Sequence, residues 1–243
     1  MASVSATRNS SPPRNQLLAA MSATDFASLQ PHLQPVPMAL LKEMERPNRR
    51  IETVYFMENG IASVVAVQPD KTRVEVGLIG REGMSGIAVV LGGDQSPHST
   101  YIQVAGEGQR ITAKELRKAM SASQTLHSLL LKFVQVFMVQ TAHTAIANAR
   151  GHIDQRLARW ILMAHDRTGG NTLPLTHEFL SLMLGVRRAG VTEALQSLKR
   201  QKLIDSGRNK IVVLNAKESS GRRGNPTARR KRNIGGSSAR AQF

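Results

Sequence analysis

The spacing of apolar residues changes along this chain, and that change limits its fold more than any other feature. From Arg49 to about Arg110 they come in short, glycine-punctuated runs, as in "VYFMENGIASVVAVQPDKTRVEVGLIG". Runs this short, with turn residues between them, fit strands. Pro69–Asp70–Lys71 reads as a hairpin turn. Gly77, Gly80, Gly83 and Gly86 suit the corners of a barrel or roll and lack the spacing of a dinucleotide fingerprint. "HSTYIQVAGEGQRI" adds a further strand or two. After "TAKELRKAM" the period lengthens: Leu126, Leu130, Phe133, Phe137, Gln140, Thr144 and Ala147 alternate steps of four and three. That is the mark of a helix–helix seam. Strands first and helices second predict an α+β chain.

The seam admits two readings. It is either one buried helix of a bundle or a helix that pairs with a second copy of itself, with Gln140 and Thr144 fixing the register. Asn148–Gly151 ends it, and a second helix over Ile153–Asp166 turns Leu157, Trp160, Ile161 and Ala164 inward before Gly169–Gly170 closes it. Residues 1–15 are polar and expected to be disordered. A short helical segment fills about Gln16–Leu33, broken by prolines.

Composition narrows the function. The formal charge is +16, of which residues 216–243, with eight Lys/Arg and one Glu, supply +7. The remaining +9 still suggests a phosphate-bearing partner. The chain has no cysteine, which excludes disulfides, thiolate-bound clusters and catalytic thiols. The N-terminus lacks the apolar core of a secretory signal. Leu129–Ala147 is broken by Lys132, Gln135, Gln140 and His143, so no membrane span is expected and the chain is placed in the cytoplasm.

The most informative segment is "LTHEFLSLMLGVRRAGVTEALQSLKRQ". Thr176 is placed to cap a helix with Glu178 in its first turn, and Phe179, Leu180, Met183 and Leu184 give it an apolar face. Gly185 permits the left-handed bend that redirects the chain. In the next helix Val191, Ala194, Leu195 and Leu198 share one face. The other side carries Arg188, Ala189, Thr192, Glu193 and Gln196, with Lys199 and Arg200 beyond. Small Ala189 and Gly190 beside Arg187 and Arg188 suit a helix that enters the major groove. "KLIDSGRNKIVVLN" follows as two strands around a turn bearing Arg208 and Lys210, placed as a wing beside the groove.

This order of helix, β-roll, long helix and winged helix–turn–helix resembles the Crp/Fnr family of bacterial transcription regulators over about residues 16–215. The match is most specific in the winged segment and looser in the roll. The resemblance implies a cyclic-nucleotide-binding-like jelly roll as a sensor over 16–122, a dimerisation helix over 123–150 and a winged helix–turn–helix over 151–215; beyond it, the composition of 216–243 reads as a basic, disordered tail. It implies a homodimer paired through Leu126, Leu130, Phe133, Phe137, Gln140 and Thr144. Its partners would be a near-palindromic duplex DNA, a small-molecule effector and RNA polymerase. Arg187, Arg188, Thr192, Glu193 and Gln196 would contact the groove, and Thr176, Lys199, Arg208 and Lys210 the phosphates. The effector pocket would fall at Gly86, Ile87, His98 and Ser99. Cyclic-nucleotide-binding relatives carry Glu and Arg where this chain has Ile87 and His98, and only Ser99 is retained. An aliphatic group cannot accept a ribose hydrogen bond and imidazole replaces a bidentate guanidinium poorly, which argues against cyclic AMP.

"HEFLS" lacks the second histidine of a zinc protease motif, and no nucleophile or carboxylate constellation stands out. Neither enzyme activity, a metal nor a cofactor is expected. Two other function classes stay open: a sequence-blind nucleoid-type binder using tail and wing charge, and a ligand- or protein-binding regulator that has lost DNA.

Overall fold

The structure, a computed structural model, describes residues 12–67, 73–207 and 209–214. The expected 69–71 turn, Arg208, the tail over 216–243 and most of the N-terminal stretch over 1–15 lie outside the described residues. Two short helices, α1 (Gln16–Ala19) and α2 (Ala23–Leu29), come first, each capped by a side chain, Asn15 and Ser22. A single 3-10 turn leads into the strands.

The roll consists of β1 (Gln34–Met38), β2 (Glu43–Glu45), β3 (Thr53–Met57), β4 (Ile61–Val67), β5 (Arg73–Ile79), β6 (Ser99–Val104) and β7 (Gly106–Thr112), with the short helix α3 (Ile87–Val90) between β5 and β6. They form two antiparallel sheets, ordered β1-β7-β3 and β2-β6-β4-β5. Met38, Met57, Ala62, Val64, Ile79 and Ile102 fill the space between them. Strand alternation sends Ala62 and Val64 to this interior while Ile61, Ser63 and Val65 face outward.

Helix α4 (Ala113–Ala122) follows, with Thr112 as its cap, and then the long α5 (Gln124–Arg150), capped by Ser123. The last part contains α6 (Ile153–Thr168), β8 (Thr172–Leu173), α7 (His177–Leu184), α8 (Arg188–Arg200), β9 (Ile204–Gly207) and β10 (Lys210–Val213). Strands β8, β10 and β9 form a third, small antiparallel sheet.

The structure corrects one expectation outright. Leu126, Leu130, Phe133, Phe137, Gln140 and Thr144 do not face a second chain, because all six are buried in this one. Leu126, Leu130 and Phe133 pack with α3, α4 and β3, and Phe137 reaches the roll interior. Gln140 accepts from the Leu78 N–H at 2.9 Å and donates to the Leu78 carbonyl at 3.0 Å, fastening α5 to β5. The Thr144 hydroxyl donates to the Gln140 carbonyl at 2.9 Å and accepts from Arg159 at 3.1 Å. Two of the expected corner glycines serve this joint. A Cβ on Gly77 would lie 2.6 Å from Phe137, and one on Gly83 would lie 2.5 Å from Phe133. Periodic apolar spacing reports that a helix face is covered, not what covers it.

The opposite face of α5 leaves Leu131, Val136, Met138, Val139 and Ile146 exposed. By length and composition α5 would also pass as a membrane span. Its hydrogen bonds to β5 and Arg159 instead make it a core helix of the folded chain.

Candidate nucleic-acid interface

The winged unit is built on one apolar core. Leu157, Trp160, Ile161 and Ala164 of α6 meet Leu180, Met183 and Leu184 of α7, Val191, Leu195 and Leu198 of α8, and Ile204, Ile211 and Val213 of the small sheet. Burial on this scale, at about 25 cal/mol per Å² of apolar surface, fixes α8 by its inner face and leaves the outer face free. Trp160 and Phe179 pack edge to face with centroids 6.1 Å apart.

Local chemistry sets the bend. The Thr176 hydroxyl accepts from the Phe179 N–H at 3.1 Å, starting α7. Gly185, at φ 61, ends it, and the Gly185 and Val186 N–H groups close the last turn on Leu182 and Ser181. The Arg156 guanidinium donates to the Leu184 carbonyl and to Asn148, holding that end of α7 to the α5–α6 junction. The chain re-enters helix at Arg187, which is extended and has no side-chain cap bond.

Arg187, Arg188, Ala189, Glu193 and Gln196 are exposed and Thr192 is half-buried. The Thr192 hydroxyl donates to the Arg188 carbonyl at 3.2 Å and lies 3.2 Å from His177 Nδ1. It is therefore partly occupied within the protein, and His177 is a neighbour the sequence reading missed. Gly190 does not serve close approach from outside: a Cβ there would lie 3.2 Å from Ile153 of α6.

The proposed phosphate contacts separate. Lys199 pairs with Asp205 of β9 at 2.8 Å, and the lysine holds the Asp205 carboxyl below its usual range. Lys210 is exposed at the start of β10, and Arg200 and Lys202 are exposed at the end of α8 and just beyond it. The β9–β10 hairpin pairs Lys210 with Gly207 and turns through Asn209 at φ 56.

The expected effector position is also legible. Gly86, at φ 78, caps α3, Ile87 opens that helix half-buried, and Ser99 opens β6. Half-burial holds the His98 imidazole below its usual pKa, favouring the neutral ring. Glu45, which the sequence did not single out, is buried here and accepts from the Gly86 N–H. Burial raises its carboxyl above the usual range, opposed by the bonds from Gly86 and Thr100. A phosphate brought to this N–H would meet a carboxylate already seated, so these residues do not fit an anionic ligand there.

Residues 155–218 match the model of the Crp-like helix–turn–helix domain. A curated relative, the global nitrogen regulator of Nostoc sp. (strain PCC 7120), is 23% identical over 176 residues, covering 69% of this chain and 79% of that protein. Among solved structures, FixK2 from Bradyrhizobium japonicum superimposes with a TM-score of 0.64 at 16% identity, over 77% of this chain and 95% of that one. A CRP-family transcriptional regulator from Thermus thermophilus gives 0.62 at 17% identity, over 76% and 94%.

Proposed function

We propose that the chain is a Crp/Fnr-type transcription regulator, as the match to the Crp-like helix–turn–helix domain supports, and that it binds a near-palindromic duplex as a homodimer. One α8 would read each half-site. The observation that carries this reading is the outer face of α8. Arg187, Arg188, Glu193 and Gln196 stand exposed together on a helix whose inner face is locked into a core. Arginine suits guanine and glutamate can accept from cytosine N4. Thr176, Lys199, Lys210 and Arg208 are assigned to the phosphates, with Lys199 exchanging Asp205 for DNA. Residues 216–243 would add salt-dependent, sequence-blind affinity.

Pairing is assigned to the exposed face of α5, through Leu131, Met138, Val139 and Ile146, since the opposite face is committed to the roll. An apolar strip of this kind is covered most simply by its own copy across a two-fold axis. The roll would answer to a ligand that places no phosphate on the Gly86 N–H. RNA polymerase is the remaining partner, and the reading places the protein in the cytoplasm without a catalytic role.

Selection of bound fragments from a random duplex pool tests the assignment. It should return a two-fold motif with half-sites about one helical turn apart. Arg188→Ala should then weaken binding about 5- to 150-fold, equivalent to about 1–3 kcal/mol, and relax specificity at one base position per half-site. Equal weakening on all sequences would assign Arg188 to phosphate instead. Full competition by scrambled DNA, together with loss of binding on removing residues 216–243, would establish the sequence-blind binder.

A further inference from the structure

The winged unit does not hang free of the roll. The outer face of the β2-β6-β4-β5 sheet, through Ile61, Val65, Leu78 and Val104, shares one apolar cluster with Trp160, Met163 and Met183. In the middle of that contact lies a buried polar chain. Trp160 Nε1 donates to Glu75 Oε1 at 2.7 Å, and Ser63 Oγ lies 2.7 Å from Glu75 Oε2. Ser63 Oγ also contacts Gln103 Oε1, with Met183 Sδ at 3.8 Å beyond it. Glu75, Ser63 and Gln103 are each at most 3% exposed.

We propose that the contact between the roll and the winged unit is a proton-linked latch: Glu75 takes up one proton from solvent when α6 docks on the sheet, and releases it when the two separate. The proton count supports this. Glu75 Oε2, Ser63 Oγ and Gln103 Oε1 make two oxygen–oxygen contacts in a row, which need two bridging protons. Ser63 brings one, and an amide oxygen and a carboxylate bring none. With Glu75 protonated, the acid donates to Ser63, Ser63 donates to Gln103, and Trp160 donates to the other carboxyl oxygen. Every contact then joins one donor to one acceptor. With Glu75 ionised, one contact would set lone pairs against each other, unless the Gln103 amide reverses, which would give its buried and otherwise unpartnered nitrogen an acceptor in Ser63.

The surroundings favour the neutral acid. Burial pushes the Glu75 carboxyl up to about 7, against partial compensation from Ser63, Trp160, Arg167 and Arg159. Both arginines lie on α6 and already have partners: Arg167 pairs with Glu82 at 2.7 Å, and Arg159 donates to Thr144. From β6 the Tyr101 phenol, itself pushed up to about 12 by burial and by Glu75, stays neutral. Separation would expose Glu75 to water, where its ordinary value is 4.5. The sign is set by these two values. Above about pH 7 the carboxyl is ionised whether docked or separated, and docking carries the full cost of burying a charge. As pH falls from about 7 toward 4.5 the docked form alone takes up the proton, so docking tightens over that interval. Below 4.5 both forms are protonated and the dependence ends.

Trp160 is the only tryptophan in the chain, so its emission reports this contact directly. In the full-length wild type, Trp160 emission should move through a single transition centred near pH 7. Glu75→Gln presents an acceptor to Trp160 and a donor to Ser63 at every pH, and should hold the docked emission with no transition. Glu82→Gln, which loosens the neighbouring ion pair only, should keep it. The infrared difference spectrum of the wild type, taken across about one pH unit either side of that midpoint, should show a protonated buried carboxyl on the acid side whether or not the variant folds. A transition that survives Glu75→Gln, or no carboxyl band on the acid side, overturns the latch and leaves an ionised Glu75 with a reversed Gln103 amide.

Discussion

At the scale of single residues, the joint between α5 and the roll depends on Gln140. Its amide gives the Leu78 N–H and carbonyl the partners that β5 alone leaves open at that position. Gln140→Leu keeps the volume and removes both bonds, so two buried backbone groups lose their partners. The expected loss is about 1–3 kcal/mol for each group left unsatisfied, read as a shift in denaturant midpoint. A change below a few tenths would mean that water or a neighbouring side chain takes over. A hydrophobic pattern cannot forecast this role, because Gln140 occupies an apolar position of the repeat. In sequence it suggests a register-fixing pair across a dimer, and in the fold it is a bracket between helix and strand.

At the scale of elements, α5 has two working faces with opposite consequences. Phe133 is buried between α5 and the roll, so Phe133→Ala should cost about 3–5 kcal/mol of stability, measured by denaturant unfolding. Met138 is 65% exposed on the other face. If the protein pairs through this face as proposed, Met138→Glu should leave the folded protomer intact and raise the dimer dissociation constant by at least an order of magnitude, because a desolvated, unpaired carboxylate is costly at an interface. Sedimentation at graded concentration would check it. Unchanged self-association would remove pairing from this face of α5. Helices α7 and α8 and the β9–β10 hairpin contrast with α5. Their caps, bend and inner face are legible because local chemistry sets them: Thr176 for the start of α7, Gly185 for its end, and Val191, Ala194, Leu195 and Leu198 for the buried side of α8.

At the scale of the whole molecule, one apolar cluster runs from the outer sheet of the roll through α6 into α7 and α8. The Arg167–Glu82 pair and the Trp160–Glu75 bond cross the same boundary. Shared burial couples the stability of the two parts, so thermal unfolding should be one transition. Trp160 emission and far-ultraviolet circular dichroism should give coincident curves. Two separated midpoints would show that the winged unit opens before the roll does. On the proposed reading, a signal from the roll would cross the same boundary to reach α8, and a ligand would act on it only through different affinities for the docked and separated arrangements.

Residue order alone is enough to set the succession of strands and helices, the helix–turn–helix with its exposed arginines, and the α+β class. Each of these is written in local periodicity, caps and turn residues, which act over a few positions. Long-range packing settles the rest: which partner covers the apolar face of α5, that Gly190 backs onto Ile153, that Glu45 occupies the Gly86 N–H, and that Glu75 is sealed beneath Trp160. Those are contacts between residues far apart in the chain. The energy of burying a face or a charge depends on what lies opposite it, and nothing in the local pattern states what that will be.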